Sequence, residues 1–196
     1  MAGDWFDYIA LPDGGVGVVV ADVAGKGMAA ALLMSSTRGI LRLSAERSTA
    51  AVLESLNQIL LRDFPRSRFV TLAYVVLDVR EMTARIALAG HPPPVLITER
   101  PHLLGHDGSL PLGMRETKYA EQRVALAPGD RIVLYSDGVI EAEGANGQEY
   151  GFAGIERHFG NGDASPQSLL EDVRQFTGGA ALEDDATVVT IDAANV

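Results

Sequence analysis

The sequence contains no cysteine among its 196 residues, and this absence limits the chemistry available to the protein. It excludes a disulfide framework, a thiolate nucleophile and a cysteine-ligated zinc site. Any bound metal ion must therefore be held by oxygen atoms or by imidazole. Cysteine usage does not define a compartment, although the composition fits a cytoplasmic protein.

Long apolar runs are also missing. The longest uninterrupted run covers residues 28–34, far short of the roughly 20 residues that cross a bilayer. We therefore expect no membrane-spanning segment. The N-terminus has neither the basic segment nor the apolar stretch of a signal peptide. Because patterned sequence begins almost at the first residue, we predict that the chain is a fragment of a longer protein.

Positive charge is scarce relative to negative charge. The chain has 26 acidic residues against 16 Lys and Arg, a formal net charge of −10. This balance disfavours partners that are themselves anionic, such as nucleic acid or an anionic membrane surface. Hydrophobic residues make up 47% of the sequence, and no linker divides it. This composition excludes global disorder and predicts a single globular domain over 1–196.

The order of sequence patterns predicts strands grouped together, with helices in pairs on either side. A hairpin is expected over 5–10 and 16–23, followed by a helix from Met28 to about Glu46 and a second helix after Ser48. The middle of the chain predicts an antiparallel meander with strands over 69–79, 84–89, 95–98, 119–126 and 131–135. Helices over 152–159 and 166–176 precede a last strand over 186–191. This order favours an α+β layered sandwich over an alternating βαβ fold.

Aspartates stand at the ends of several predicted strands. Asp22 ends the second hairpin strand, Asp137 follows the strand over 131–135, and Asp184 precedes the last strand. If the last strand is antiparallel to the other two, all three residues lie at one sheet edge. Pairing about the 13–15 turn, with opposed residue numbers summing to 27 or 28, would also bring Asp4 and Asp7 near Asp22.

Crowded carboxylates repel one another, and hard divalent cations with oxygen ligands offset that repulsion. Asp4, Asp22, Asp137 and Asp184 carry four negative charges, which two dications would neutralise. The sequence therefore predicts a site for two divalent ions. The alternative is that these residues are ordinary turn and capping aspartates.

Five motifs, in order, resemble those of a known enzyme family. They are Gly-Asp-Trp-Phe-Asp at 3–7, Ala-Asp-Val-Ala-Gly-Lys-Gly at 21–27, Ala-Gly-His-Pro-Pro-Pro at 89–94, Tyr-Ser-Asp-Gly at 135–138 and Asp-Asp-Ala-Thr at 184–187. The chain resembles PPM-type metal-dependent serine/threonine phosphatases. Within that family it is most similar to the bacterial branch typified by the stage II sporulation protein E phosphatase domain and its sigma-factor-regulating relatives. The resemblance runs from residue 3 to about residue 192.

This resemblance implies an αββα sandwich of two mainly antiparallel sheets, with two Mn²⁺ or Mg²⁺ ions at one end. Asp22 would bridge the ions, and the backbone carbonyl of Val23 would complete one coordination shell. Asp137 and Asp184 would hold the other ion, and Asp4 would reach the site directly or through water. A water between the ions would attack phosphorus in line, without a covalent phosphoenzyme.

The resemblance also implies partners. The expected substrate is a phosphoserine or phosphothreonine on an anti-sigma-factor antagonist protein, and the expected regulator is an upstream sensor domain. A homodimer is left open. The chain departs from the wider family at Ala24-Gly25-Lys26, where distant relatives carry a histidine. Lys26 would then either face the phosphate or be an exposed loop residue.

Other interpretations compete with this one. Residues 22–30 imitate a dinucleotide-binding fingerprint, with Glu46 near the expected acidic position, but no strand is predicted between the helix and that acid. His102 and His106 are four residues apart, yet the surrounding proline and glycines indicate surface loop residues. His91, before three prolines, is expected to stabilise a turn. A non-catalytic interaction module on the same fold is the remaining alternative.

Overall fold

The computed structural model describes residues 3–25, 27–44, 48–65, 67–105, 108–160 and 165–194. The predictions made for Lys26, Glu46 and His106 lie outside these residues. Within the described ranges, no helix is long and apolar enough to cross a membrane.

Nine strands and five helices make up the described fold. In chain order they are β1 (Asp4–Ala10), β2 (Val16–Val23), α1 (Met28–Ser44), α2 (Thr49–Asp63), β3 (Val70–Asp78), β4 (Thr83–Ala89), β5 (Val95–Ile97), β6 (Pro101–Leu103), β7 (Gln122–Ala125), β8 (Arg131–Tyr135), α3 (Asp137–Ile140), α4 (Gly151–Gly160), α5 (Pro166–Phe176) and β9 (Val188–Asp192). The predicted hairpin and the α2 helix are confirmed, the latter with Ser48 as its N-cap. β6 and α3 were not predicted, because three or four residues are too few to show a period.

The strands form two antiparallel sheets. Sheet A has the order β1-β2-β3-β4-β7, and sheet B has the order β6-β5-β8-β9. The prediction of one continuous meander is therefore wrong. After β4 the chain crosses to sheet B, where Val95 of β5 pairs with Val133 of β8. Only four residues of sequence separate the end of α1 at Ser44 from the start of α2 at Thr49, too few for the intervening strand and connections that a dinucleotide-binding unit needs.

Three apolar layers hold the fold together. One lies between α1, α2 and the outer face of sheet A, and includes Leu33, Leu56 and Tyr74. The second fills the space between the sheets, and the third lies between sheet B and the C-terminal helices. Alternating residues of each central strand pack into two different apolar layers. Because both faces of these strands are buried, their sequences are nearly continuous apolar runs. This arrangement confirms the predicted α+β fold and its αββα sandwich.

One end of the sandwich collects several strand termini. β2 and β8 end there, and β9 begins there because Tyr135 pairs with Val188 in an antiparallel ladder. β1 begins at the same end, where Asp4 pairs with Asp22. The residues just outside these strands therefore share one small region of the molecule.

Candidate metal centre

Three carboxylates from both sheets meet at this end. Asp4 opens β1, Asp22 lies directly opposite it on β2, and Asp137 opens α3, with one residue between it and the end of β8. One side-chain oxygen of each lies within 4.8 Å of the others. All three side chains are partly buried. The predicted convergence of these three aspartates is therefore present in the structure.

Asp7 does not join them. The loop of the hairpin has five residues and is closed by the Leu11 N–H donating to the Gly15 carbonyl at 2.9 Å, so opposed residue numbers sum to 26. In this register Asp7 lies opposite Val19, on the face of sheet A that is covered by the helices. The prediction that Asp7 approaches Asp22 is wrong. Asp4 shares the face of Asp22, and Asp7, three residues along the same strand, points to the other face because side chains alternate along a strand.

Two glycines allow the backbone to approach the carboxylates closely. A Cβ at Gly3 would lie 2.3 Å from Oδ1 of Asp22, and one at Gly138 would lie 2.1 Å from the backbone oxygen of Asp185. No other residue fits at either position without displacing its neighbour. The Gly3 N–H also donates to Oδ2 of Asp185 at 3.2 Å. The sequence indicated these contacts only through the Gly-Asp and Asp-Gly pairs of the motifs.

Ser136 and Thr187 hold the segment before β9 against the end of β8. The Ser136 N–H donates to the Thr187 carbonyl at 3.0 Å, and the Thr187 N–H donates to Oγ of Ser136 at 2.9 Å. Asp184 lies in this segment, three residues before Thr187, but it is exposed and is not one of the three residues with oxygens within 4.8 Å. Its charge nevertheless raises the pKa of Asp22 and of Asp137. Its role as a metal ligand stays a prediction.

Burial and mutual repulsion disfavour the charged form of this cluster. Burial, with the charges of Asp137, Asp4 and Asp184, raises the pKa of Asp22 to about 6. Burial also raises the pKa of Asp4, although the Ser136 and Thr187 side chains beside it act in the opposite direction. The pKa of Asp137 is raised by burial too, against the effect of the Gly138 N–H. A nearby cation would reverse these shifts.

The donor set fits divalent ions that prefer oxygen. Oδ2 of Asp4 is buried and accepts no hydrogen bond from any part of the chain that the structure describes. A buried carboxylate oxygen without a partner is costly, and a coordinated cation satisfies it. Carboxylates without histidine or thiolate favour Mg²⁺ or Mn²⁺. The Val23 carbonyl, predicted to complete one coordination shell, stays a prediction.

The histidines have other surroundings. His91 is buried, and its Nδ1 lies 3.0 Å from Oγ1 of Thr71. Burial lowers its pKa to about 3, so the ring is neutral. His102 is exposed but lies on β6, where the sequence indicated a loop.

Comparison with known proteins identifies the family. The model of the stage II sporulation protein E (SpoIIE) family matches residues 12–194. The chain belongs to the SpoIIE family. It is 30% identical over 153 residues to the phosphoserine phosphatase RsbU of Bacillus subtilis, covering 75% of this chain and 45% of RsbU. The chain thus spans less than half the length of this curated relative.

Two solved structures share the fold. The RsbU and RsbW domains of a Mycobacterium tuberculosis protein superpose with a TM-score of 0.81 at 30% identity, over 98% of this chain and 56% of that one. The PP2C domain of SiaA from Pseudomonas aeruginosa gives a TM-score of 0.83 at 20% identity, over 97% of this chain and 80% of that one. The latter identity supports the fold alone.

Proposed function

We propose that the protein is a metal-dependent phosphoprotein phosphatase that hydrolyses phosphoserine or phosphothreonine. The observation that carries this proposal is the meeting of Asp4, Asp22 and Asp137, from two sheets, within 4.8 Å. Ordinary turn or capping aspartates have no reason to converge, since their mutual repulsion is unfavourable. The RsbU relative, which is named a phosphoserine phosphatase, supports the same activity.

Each residue of the centre has a proposed task. Asp22, whose carboxylate lies within 4.8 Å of those of Asp4 and Asp137, would be shared by two Mn²⁺ or Mg²⁺ ions, and the Val23 carbonyl would complete one shell. Asp137 and Asp184 would hold the second ion. When bound, the ions supply the Lewis acidity that activates water and stabilises charge on the transferring phosphoryl group. Without cations, four carboxylates would repel a phosphate dianion, so substrate binding depends on prior metal binding.

The partners are proposed from the family. We infer that the substrate is a phosphorylated anti-sigma-factor antagonist protein, and that the protein acts in the cytoplasm. We also propose that residues 1–196 form one phosphatase domain of a longer protein whose upstream part is a sensor. The match to less than half of RsbU supports this. A measurement of the mass in solution tests for a homodimer.

Hydrolysis of an aryl phosphate and of a phosphoserine protein tests the proposal. Each assay is run with Mn²⁺, with Mg²⁺ and with excess chelator, on the wild type and on Asp22→Asn. We expect turnover with metal, none with chelator, and loss of most of the rate in the variant. Full activity in chelator would contradict the mechanism. Bound metal without turnover of either substrate would favour the non-catalytic interaction module.

A further inference from the structure

Residues 90–94 connect the two sheets at the end that carries the metal centre. β4 of sheet A ends at Ala89, which pairs with Leu72, and β5 of sheet B begins at Val95. Gly90 starts the crossing with a φ of 64°, a conformation that favours glycine. A Cβ at this position would also lie 2.5 Å from the Pro111 side chain. The path of the crossing is therefore fixed at its first residue.

His91 contacts sheet A beside a proposed metal ligand. Nδ1 of His91 lies 3.0 Å from Oγ1 of Thr71. Thr71 is directly opposite Asp22 in the ladder between β2 and β3. Directly opposed side chains of antiparallel strands share one face and have Cβ atoms about 5 Å apart. The hydrogen bond between His91 and Thr71 thus reaches the immediate cross-strand neighbour of Asp22.

The same residue lies near the end of β8 in sheet B, beside another proposed ligand. The backbone of Tyr135 lies close enough to the ring to favour its protonated form, although burial outweighs this effect. Tyr135 is the last residue of β8 and stands two positions before Asp137. His91 and Asp137 also line one cavity of about 500 Å³. The imidazole therefore lies between the strand next to Asp22 and the strand that leads to Asp137.

The surroundings of His91 suit a residue that sets the distance between the two sheets better than a residue that donates a proton. The residue is only 6% exposed, and its Nε2 makes no well-aligned hydrogen bond with a described residue. The neutral ring cannot neutralise a phosphate. It can, however, keep two packed sheets at a set separation, since interiors transmit small changes of volume.

We propose that His91 is a positioning residue that bridges the two sheets and sets the spacing between Asp22 and Asp137. This inference rests on the proposed metal site. A bidentate or bridging arrangement around an ion tolerates little error in ligand position, so residues behind the ligands affect affinity without touching the metal. The ring and Thr71 act together, and loss of either should have a similar effect.

Mn²⁺ affinity tests the proposal when it is measured next to thermal unfolding of the metal-free protein. His91→Phe keeps the ring volume and removes both nitrogen atoms, and Thr71→Val removes the hydroxyl group with little change of shape. His91→Asn returns a polar group near Thr71. A matched control is His158→Phe, because His158 is also buried and lies 3.1 Å from Oγ of Ser168, in the helical layer outside sheet B.

We expect His91→Phe and Thr71→Val each to weaken Mn²⁺ binding about tenfold, as for other residues behind metal ligands. The double variant His91→Phe with Thr71→Val should bind Mn²⁺ no more weakly than the single variant with the lower affinity. His91→Asn should bind Mn²⁺ more tightly than His91→Phe. His158→Phe should lower the Tm without changing the affinity. Thr71→Val preserves the test if His91→Phe does not fold.

Three outcomes distinguish failure of the role of His91 from failure of the metal site itself. Unchanged affinity in a folded His91→Phe or Thr71→Val variant, with Mn²⁺ still bound by the wild type, would overturn the role of His91 alone. An equal loss of affinity in His158→Phe would overturn it too, because the effect would then follow general stability. Absence of Mn²⁺ binding by the wild type would overturn the metal site and, with it, the role of His91.

Discussion

The Asp7 carboxylate accepts two hydrogen bonds from the Arg42 guanidinium, each 2.7 Å long, and so holds α1 against β1. Arg38, one turn earlier on α1, adds a third hydrogen bond at 2.9 Å. The two arginines hold the pKa of Asp7 far below its usual value. The second aspartate of the motif at 3–7 therefore has a structural role, whereas Asp4 faces the metal centre.

Replacing Asp7 should destabilise the fold in a pH-dependent way. Hydrogen bonds to a buried charged group stabilise strongly, so we expect Asp7→Asn to lower the free energy of unfolding by about 2 kcal/mol at pH 7. Because the folded-state pKa is depressed, this contribution is present above about pH 4 and is lost as the pH falls toward the folded-state value. Urea unfolding at pH 7 and pH 3 measures both effects.

Asp63→Asn is a suitable control for this comparison. Asp63 also forms an ion pair with an arginine, Arg62 at 2.7 Å, but both side chains are exposed. Exposed pairs of this kind contribute little. Two results would contradict the structural role of Asp7. One is a similar loss of unfolding free energy in both variants, and the other is a loss in Asp7→Asn, relative to the wild type, that is the same at pH 7 and pH 3.

The hairpin shows how far the sequence could predict this site. The aspartates at strand ends could be read directly, because apolar strands and their terminal residues are local patterns. The register could not, since it depends on the number of loop residues between Ala10 and Val16. The register decides which of Asp4 and Asp7 shares the face of Asp22, whereas the alternation of side chains along β1 already excludes both from that face at once. The crossing from β4 to β5 was missed for a similar reason, because sheet membership depends on contacts between distant residues.

A second prediction concerns the pH dependence of the metal-free protein. The pKa of Asp22 is raised to about 6, from an ordinary value of 3.8. The folded protein therefore holds this proton more tightly than the unfolded chain, and the resulting stability is present below about pH 4 and is lost as the pH rises through 6. In chelator, we expect the Tm to fall between pH 4 and pH 7, and to fall less in Asp22→Asn.

Saturating Mn²⁺ should reverse this trend for the wild type, because a cation favours the ionised carboxylates and ligand binding stabilises the folded state. Asp22→Asn should gain little Tm from Mn²⁺. Scanning calorimetry across this pH range, with and without the ion, gives both comparisons. A metal-free wild type whose Tm does not change between pH 4 and pH 7 would contradict the raised pKa of Asp22.

The close approach at Gly138 predicts a third effect. Gly138→Ala would place its Cβ 2.1 Å from the Asp185 backbone oxygen, so the segment before β9 must move away from Asp137. We expect the loss of most Mn²⁺ affinity and phosphatase activity. Gly39→Ala is the matched control, because Gly39 lies in α1 with no atom within 4 Å of the added Cβ. It should stabilise the protein by about 1 kcal/mol through helix propensity, with activity unchanged. Wild-type metal affinity in Gly138→Ala would contradict the close contact.

The last prediction concerns Asp184, whose exposed carboxylate is near enough to raise the pKa of Asp22 and Asp137 without joining the group of three. If a second ion recruits this side chain, Asp184→Asn should lose most of the phosphatase rate and most of the Mn²⁺ affinity. The double variant with Asp22→Asn should be no worse than Asp22→Asn alone, because both residues serve one site. Glu183→Gln is the matched control, as Glu183 is the exposed neighbouring acid, and it should retain full activity. Equal losses in the two single variants would mean that local negative charge, and not ligation by Asp184, supports the activity.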